Sequence, residues 1–381
     1  MKKNKLTAII AIAVLVMASA LGGACCAKTA PRQQTTVAQD TVTVEHHLNL
    51  LIAGDLMQHG PQIKAALQPD GSYNYEECFA RITPELEWAD IAIANFEVPL
   101  GGKPYSGYPQ FSAPDDYLSA VIDAGFDVML TANNHCLDRR RKGLERTIMV
   151  MDSLQVPHLG TYVNQQERDR NYPFLIEKNG LRVVLLNFTY GTNGIPVEMP
   201  NVVNLMDTTE IARDILKAKE MQPDVIIALP HWGIEYQTLP SPEQKEMADW
   251  LLGKGVDHVI GGHPHVAQPL ELRNDGRNLV AWSLGNVISN QSSPNTFGGY
   301  MVRMELTKRD TVTTLSDCSY MLYWVSRPHD NNHQHQYRIL SVDEPDSILT
   351  ATEQKQRAVI RSSMRQLMEK HNVGGIKEHT F

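Results

Sequence analysis

Apolar residues concentrate in short runs, and each run ends in residues that can bind metal or transfer protons. The runs are LNLLIAGD ending at Asp55, DIAIANFE ending at Glu97, FDVMLTANNH ending at His135, DVIIALPH ending at His231 and DHVIGGHPH ending at His265. Near-continuous apolar runs are typical of strands that are covered on both faces. The pattern therefore predicts at least five buried strands with polar residues at their carboxyl ends.

Helical periodicity lies between these runs. It covers residues 116–124, 143–154 and 208–219, and a further helix with a capping-box-like start follows Ser241. The pair Asn179-Gly180 predicts the turn of a β-hairpin. Strands that alternate with helices indicate an α/β layered core, in which ligands gather where the strand ends converge.

The composition changes after residue 300. The segments YMVRMELT, DTVTTLSDCSYMLYWVS and QYRILSV predict strands, and residues 351–370 predict a helix. We expect a main domain at 46–300 and a small C-terminal addition at 301–381, a β-hairpin and a helix that pack on the main domain.

The N-terminus has the composition of a targeting signal. MKKNKL is positively charged, TAIIAIAVLVMASAL is apolar and GGACCA offers small residues for cleavage, which predicts a signal peptide at 1–26. The residues before Cys25 are similar to a lipoprotein box, so Cys25 is the expected lipidation site; ordinary cleavage near Ala27 is the alternative. Residues 27–45 are polar and predict a flexible tether. We expect an exported protein anchored to a membrane of the cell envelope.

Charge and cysteine content exclude two classes of protein. The formal net charge is −8 and no basic stripe is present, so we expect no nucleic-acid partner. Beyond the tether only Cys78, Cys136 and Cys318 remain, widely spaced and without a CxxC motif. This pattern favours neither a disulfide framework nor a thiolate zinc site.

The polar residues at the strand ends are of the types that bind transition metals. Manganese, zinc and iron favour imidazole and carboxylate ligands, and a pair of ions needs a bridging carboxylate. The candidate ligands in chain order are Asp55, Glu97, Asn134, His231, His263 and His265. His135, next to Asn134, is the candidate acid for a leaving group.

Each candidate also has a structural alternative. Asp55 can cap a helix, Asn134 can hold a turn, and His231 can pack in the core between Pro230 and Trp232. Glu97 can pair with a surface base, and IGGHPHV can be a turn that is merely rich in histidine. Because these alternatives require a coincidence at every strand end, the combined pattern favours a metal site.

The same stretches resemble a known family. AGDLM, NFEVPL, ANNHCLDRRRKGL, HWGIEY, GGHPHVAQPLE and SLGN, spread over residues 48–290, are similar to motifs of the calcineurin-like metallophosphatase superfamily. More narrowly, their order resembles the bacterial capsule-synthesis family of CapA type, named for poly-γ-glutamate capsules. The resemblance implies a four-layer αββα sandwich of metallophosphatase type, with divalent metal ions (Mn, Zn or Fe) at the sheet edge.

The resemblance also implies roles for individual residues. Asn134, His231 and His263 would hold one ion. Asp55 and His265 would hold the other, with Glu97 as the candidate bridge; Asp55 could equally well contact both ions. His135 would protonate the leaving group, and Asp138 would orient it.

Two positions depart from the superfamily pattern. Met57 stands where the first motif, Asp-x-His, has its histidine, and His59 lies two residues further on. This leaves one ion with fewer ligands, so the expected number of ions is one or two. The second departure is Glu97, since the bridging residue of the superfamily is normally aspartate.

These features give two expected functions. The first is a metal-dependent hydrolase of surface-polymer biosynthesis that uses an activated water to cleave a phosphoester or a γ-glutamyl or other amide bond. The second is a non-catalytic accessory protein of capsule or exopolysaccharide assembly. The expected partners are the polymer or its precursor, the membrane through the lipid anchor, and other capsule-synthesis proteins. A nucleotidase would use the same types of metal ligand, but the segment after Tyr300 is short for a separate nucleoside-binding domain.

Overall fold

The computed structural model describes residues 44–328 and 336–380, so the signal peptide, Cys25 and nearly all of the tether lie outside the described residues. The strands are β1 (Glu45–Leu56), β2 (Ile91–Phe96), β3 (Val128–Leu130), β4 (His158–Leu159), β5 (Thr161–Tyr162), β6 (Phe174–Lys178), β7 (Leu181–Thr189), β8 (Val202–Val203), β9 (Val225–His231), β10 (His258–Ile260), β11 (Leu270–Arg273), β12 (Asn278–Ala281), β13 (Asn286–Ile288), β14 (Gly298–Arg309), β15 (Val312–Ser326), β16 (Arg338–Ser341) and β17 (Lys377–Glu378). The helices are α1 (Gly60–Ala66), α2 (Glu76–Phe79), α3 (Thr83–Trp88), α4 (Asp115–Ala124), α5 (Arg140–Ser153), α6 (Gln165–Asn171), α7 (Thr208–Glu220), α8 (Pro242–Gly253) and α9 (Ala351–His371), with a 3-10 turn at Asp346–Ile348.

The first sheet has the order β16-β15-β14-β1-β2-β3-β4, with β13 also paired to β1 and β17 to β15. β1 runs parallel to β2 and β13 and antiparallel to β14. The predicted boundary between residues 300 and 301 falls inside β14. The C-terminal hairpin β14–β15 and α9 therefore belong to the body of the molecule, and β14 and β15 lie in the same sheet as β1.

The second sheet has the order β11-β12-β10-β9-β7-β6, and β5 and β8 form a separate two-stranded pair. The hairpin predicted from Asn179-Gly180 is confirmed between β6 and β7. Both turn residues have positive φ, 51° and 82°, as a tight hairpin turn requires. A Cβ on Gly180 would lie 2.4 Å from a ring nitrogen of His46, so the turn also needs glycine for space.

The two sheets pack against each other and are covered by helices, which confirms the predicted four-layer α/β order. Leu48, Leu50 and Ile52 of β1 contribute to the core shared with β7 and β9. The alternate residues Leu51 and Ala53 belong to a second core with helices α2, α3 and α4. Helices α7 and α8 pack on the second sheet. The period of two along β1 therefore places each sheet between two apolar layers.

The predicted helices are present with small changes at their ends. Residues 116–124 lie in α4, 208–219 in α7 and most of 143–154 in α5. Ser241 caps α8 by accepting a hydrogen bond from Gln244, whose side chain returns the contact in a capping box. In the described parts of the chain, no helix combines the length and the apolar character needed to cross a membrane.

Candidate metal centre

Polar side chains from both sheets meet at the carboxyl ends of their parallel strands. Asp55 lies opposite Asn95 and Asn286 in the register of the first sheet, and His231 pairs with Gly262 at the edge of the second. The backbone N–H of His263 donates to Oδ2 of Asp55 across the two sheets (3.3 Å). The edge on which the sequence placed its candidate residues is therefore one continuous site.

The loop that follows β10 is shaped for this contact. A Cβ on Gly262 would lie 2.9 Å from Oδ1 of Asp55, so glycine permits the close approach of the loop to β1. His263 and His265 both have positive φ, 100° and 60°, a region that side chains other than glycine rarely adopt. Strained backbone of this kind concentrates at functional sites because the surrounding structure must hold it. The histidine-rich loop is thus built to place both rings at the site.

All six candidate ligands are buried at this point. The cluster comprises Asp55, Glu97, Asn134, His231, His263 and His265. Ligand atoms of Asp55, Glu97 and His231 all lie within 4.8 Å of one another, as do those of Glu97, His263 and His265. Asn134 Oδ1 lies 2.8 Å from Nε2 of His231. Glu97 is common to both groups, which is the position a bridging ligand needs.

The grouping by distance differs from the ligand sets that the resemblance implies. His231 lies with Asp55, and His263 lies with His265, whereas the resemblance divides these histidines the other way. Since the two groups share Glu97 and the rings of His231 and His263 are only 4.8 Å apart, both divisions are geometrically close. The assignment of ligands to individual ions stays a prediction.

Two properties of the cluster suit divalent cations: its residue types and its buried polar atoms that lack hydrogen-bond partners. Oε1 of Glu97 and Nδ1 of His263 are buried and have no hydrogen-bond partner among the described residues. A buried acceptor without a partner costs free energy, on the order of 1–3 kcal/mol. A carboxylate oxygen and an imidazole nitrogen that converge without a donor are what manganese, zinc or iron requires.

Without a cation, a proton balances part of the negative charge. Burial acts to lower the pKa of His265, but the carboxylates of Glu97 and Asp55 raise it to about 9. Burial acts to raise the pKa of Asp55, yet hydrogen bonding to His265 and the charges of His265 and His231 lower it below its ordinary value. Burial and the neighbouring imidazoles hold the pKa of His263 well below its usual range, so this ring is neutral. Neutral imidazole is the form that binds metal.

Asn95 organises the cluster, a role the sequence analysis did not assign. Its Nδ2 lies 2.8 Å from Oδ1 of Asp55, 3.2 Å from Oε2 of Glu97 and 3.2 Å from Nδ1 of His231. Its own Oδ1 accepts from Asn133. Asn95 lies on β2, and Glu97 follows two residues later, just past the end of the strand, so strand alternation places both side chains on one face. That spacing was the available signal.

Two further residues complete the surroundings. Asn286 Oδ1 lies 3.0 Å from Nδ1 of His265. The ring of Tyr190 lies 4.5 Å from that of His263, and burial raises the pKa of its hydroxyl to about 12. Tyr190 follows β7 directly and is 47% exposed, so it presents a neutral phenol at the mouth of the site. The rule that polar residues follow the carboxyl ends of the buried strands applies to Tyr190 at the end of β7 as well.

His135 and Asp138 lie beside the cluster as a buried pair. Nδ1 of His135 is 2.7 Å from Oδ2 of Asp138, which also accepts the backbone N–H of Phe111. The backbone of His135 is fixed by Oδ1 of Asn133. The structure thus brings the candidate acid, its orienting carboxylate and the ligand residues into one region.

Met57 and His59 are the two positions near the departure from the superfamily pattern. Met57 is buried in the core with the helices on the outer face of the first sheet. His59 packs against Phe111, and its Nδ1 lies 3.3 Å from the backbone N–H of Asn290. Among the described residues, neither belongs to the two ligand groups.

Comparisons with known proteins agree with these motifs. The bacterial capsule synthesis protein PGA_cap family matches residues 49–291. The capsule biosynthesis protein CapA of Bacillus anthracis is 29% identical over 282 residues, 71% of this chain and 66% of that protein, just under two thirds of its length. The PGA biosynthesis protein CapA of Bacillus subtilis (strain 168) is 25% identical over 273 residues, 69% of each chain.

Solved structures with a similar arrangement are more distant. A putative 5'-nucleotidase from Staphylococcus aureus is 15% identical with a TM-score of 0.48, and the match covers 83% of this chain and 58% of that one. A calcineurin-like phosphoesterase from Bacillus subtilis is 16% identical with a TM-score of 0.42, over 86% and 99% of the two chains. The family match covers more than half of the sequence and contains every candidate ligand, and the chain belongs to the bacterial capsule synthesis protein (PGA_cap) family.

Proposed function

We propose that this protein is a metal-dependent hydrolase of surface-polymer biosynthesis. The observation that carries the proposal is the convergence of six buried ligand-type residues next to the His135–Asp138 pair. A site that only stabilised the fold would need the ligands but not a buried histidine–carboxylate pair at their side. The pair is the usual means of holding an imidazole for proton transfer.

The cluster residues would hold one or two ions, with Glu97 between the two groups. Bound divalent ions supply a water molecule of lowered pKa, and they also place positive charge near the bond to be cleaved. Asn95 keeps both carboxylates and His231 in place through one amide group. Fixing ligand orientation in this way typically changes metal affinity or activity by about 10–100-fold.

The protein's own proton chemistry rests on His135. Oδ2 of Asp138 can only accept when ionised, so Nδ1 of His135 donates to it and Nε2 is left to exchange a proton with the leaving group. Tyr190 adds a neutral hydroxyl at the mouth of the site, within reach of a bound substrate's oxygens. Phosphoesters and γ-glutamyl or other amide bonds both release a group that such an acid protonates.

The second candidate function is a non-catalytic accessory protein that binds the polymer or another assembly protein. The observation that favours it is the position of Met57, which lies in the core, so one ion lacks the ligand that this position supplies in the superfamily. An accessory protein keeps the buried cluster for stability and needs no acid. His135 therefore separates the two functions.

We also propose that the protein is exported and attached to the envelope through Cys25. The charge, length and small residues of the first 26 positions support a signal peptide, and the polar tether supports a domain held away from the membrane. Such an anchor would keep the site near nascent polymer.

The decisive experiment combines metal analysis with activity. The purified full chain is loaded with Mn²⁺, Zn²⁺ or Fe²⁺ and assayed on bis-p-nitrophenyl phosphate and on γ-glutamyl-p-nitroanilide. Turnover that disappears on chelation and returns with metal supports the hydrolase. Stoichiometric metal binding without turnover of either bond, together with full polymer production by a His135→Ala strain, would support the accessory function.

A further inference from the structure

We infer that a cavity between α9 and the loop after β13 binds an amphipathic anion, an alkyl chain that ends in a phosphate or carboxylate. The cavity has a volume of about 780 Å³ and lies apart from the candidate ligands. Its walls include Phe297, Arg327, Lys355, Val359, Ile360 and Met364. It is independent of the proposed hydrolase chemistry.

One cation of the cavity wall is Arg327. Its guanidinium lies over the ring of Phe297, 4.5 Å from the centroid, and one NH₂ group donates to the backbone oxygen of Gln291. Nε is buried without a hydrogen-bond partner, and in the described residues no carboxylate forms an ion pair with the side chain. Burial lowers the pKa of this group, and Tyr337 is the one titratable neighbour that opposes the shift. A half-buried cation that has no ion pair among the described residues is costly, and a bound anion offsets that cost.

The charge of the cavity is one-sided. Arg327 and Lys355 are its two charged lining residues, and the described residues that line it include no aspartate or glutamate. This contrasts with the whole chain, whose net charge is −8. A guanidinium has the planar geometry that pairs with phosphate or carboxylate oxygens. The polar part of the ligand is therefore anionic.

The remaining wall is apolar and extends along α9. Ser326, next to Arg327, contacts Glu353 at the first turn of α9, so Arg327 and Lys355 lie at the same end of the cavity. Val359, Ile360 and Met364 follow on the next turns, and Val359 is 71% exposed at the lip. From Lys355 to Met364 the helix rises about 14 Å. A cavity with a cationic end and an apolar length selects a single-chain amphiphile over a bare anion.

The test is calorimetric titration of the full chain with decyl phosphate below its micelle concentration, in the presence of a chelator. The chelator removes metal from the cluster, so a phosphate group has no ion to bind there. We expect one saturable site per chain. Inorganic phosphate should bind more weakly by about tenfold or more, because it leaves the apolar wall uncovered.

Two variants and a matched control locate the binding. Arg327→Met should weaken decyl phosphate binding on the order of tenfold or more, since it removes the cation. Val359→Glu places a like charge at the exposed lip and should also weaken it, even if Arg327→Met folds poorly. Val312→Glu, a valine of similar exposure on the β14–β15 hairpin, should bind as the wild type does. Three results would each overturn the inference. They are a lack of saturable binding, an equal affinity for inorganic phosphate and decyl phosphate, or equal losses of affinity in Val359→Glu and Val312→Glu.

Discussion

Nδ1 of His135 and Oδ2 of Asp138 are 2.7 Å apart and both side chains are buried, three residues apart in the chain in the turn that precedes α5. The carboxylate is itself held by the backbone N–H of Phe111, so the orientation of the imidazole is set from two sides. A carboxylate oxygen accepts, so Nδ1 of His135 is the ring nitrogen that donates to Asp138. This leaves Nε2 as the atom available for proton transfer.

His135→Ala should therefore lower hydrolytic activity by about 10²–10⁴-fold and leave metal content unchanged, because acid catalysis is lost while the ligands remain. Activity on bis-p-nitrophenyl phosphate, with metal measured by mass spectrometry, checks both parts. His158→Ala removes another histidine paired with an aspartate, 3.1 Å from Asp152, away from the site, and should keep activity. Full restoration of polymer by His135→Ala in a polymer-deficient strain, at normal protein level, would discard catalysis as the role of His135.

Glu97→Gln should remove more metal than His231→Ala. Glu97 belongs to both ligand groups, whereas His231 belongs to one, so loss of the carboxylate affects every ion that the site holds. We expect metal affinity to fall by more than about 100-fold, beyond the effect typical of a residue that only orients a ligand. The control is Glu235→Gln, a carboxylate near the site that is exposed and lies outside both groups. Equal metal content in Glu97→Gln and Glu235→Gln would contradict a shared bridge.

Glu353 should contribute stability that depends on pH. It accepts hydrogen bonds from Thr350, the N-cap residue of its own helix α9, and from Ser326 and Arg338 of the first sheet, the last at 2.6 Å. Burial acts to raise its pKa, but hydrogen bonds from these groups lower it to about 2. A lowered pKa stabilises the fold above the ordinary value of 4.5, and this contribution is lost as the pH falls toward about 2.

Glu353→Gln should lower the free energy of unfolding by about 1–3 kcal/mol at neutral pH, because its hydrogen-bond partners lose a charged acceptor. Denaturant unfolding at pH 7 and at pH 3 measures the effect, and the difference from wild type should shrink at the lower pH. Glu369→Gln, an exposed glutamate on the same helix, is the control and should change stability little. A difference that grows on acidification would have the wrong sign for this mechanism.

Cys25 should carry a lipid. A clickable fatty acid fed to cells that express the full chain should label the wild type, and a Cys25→Ala, Cys26→Ala double variant should lose the label. The membrane fraction should lose the protein in parallel. Equal labelling of both proteins would exclude the anchor.

The parts of the fold that follow local rules could be predicted from the sequence. The apolar runs predicted five strands, and all five are present, although β3 ends at Leu130 and β10 at Ile260, several residues before their runs end. Asn179-Gly180 predicted the β6–β7 hairpin, because burial and turn geometry act within a few residues. The position of β14 next to β1 could not be predicted, since the hydrophobic pattern does not identify the antiparallel partner of a strand. Asn95 escaped assignment for a related reason, because its role depends on Asp55 and His231, two partners from distant segments.

The place of β14 in the first sheet has a consequence for biosynthesis. β2 follows β1 closely in the chain, so it can pair with β1 early in synthesis. The other edge of β1 is covered by β14, and the ion pair of Glu45 with Arg309 spans 264 residues. Pairing over such a separation is slow, and an open apolar edge invites association with other chains. The nascent chain therefore carries an uncovered β1 edge until β14 has emerged. We expect chains that end before β14 to be degraded or to aggregate.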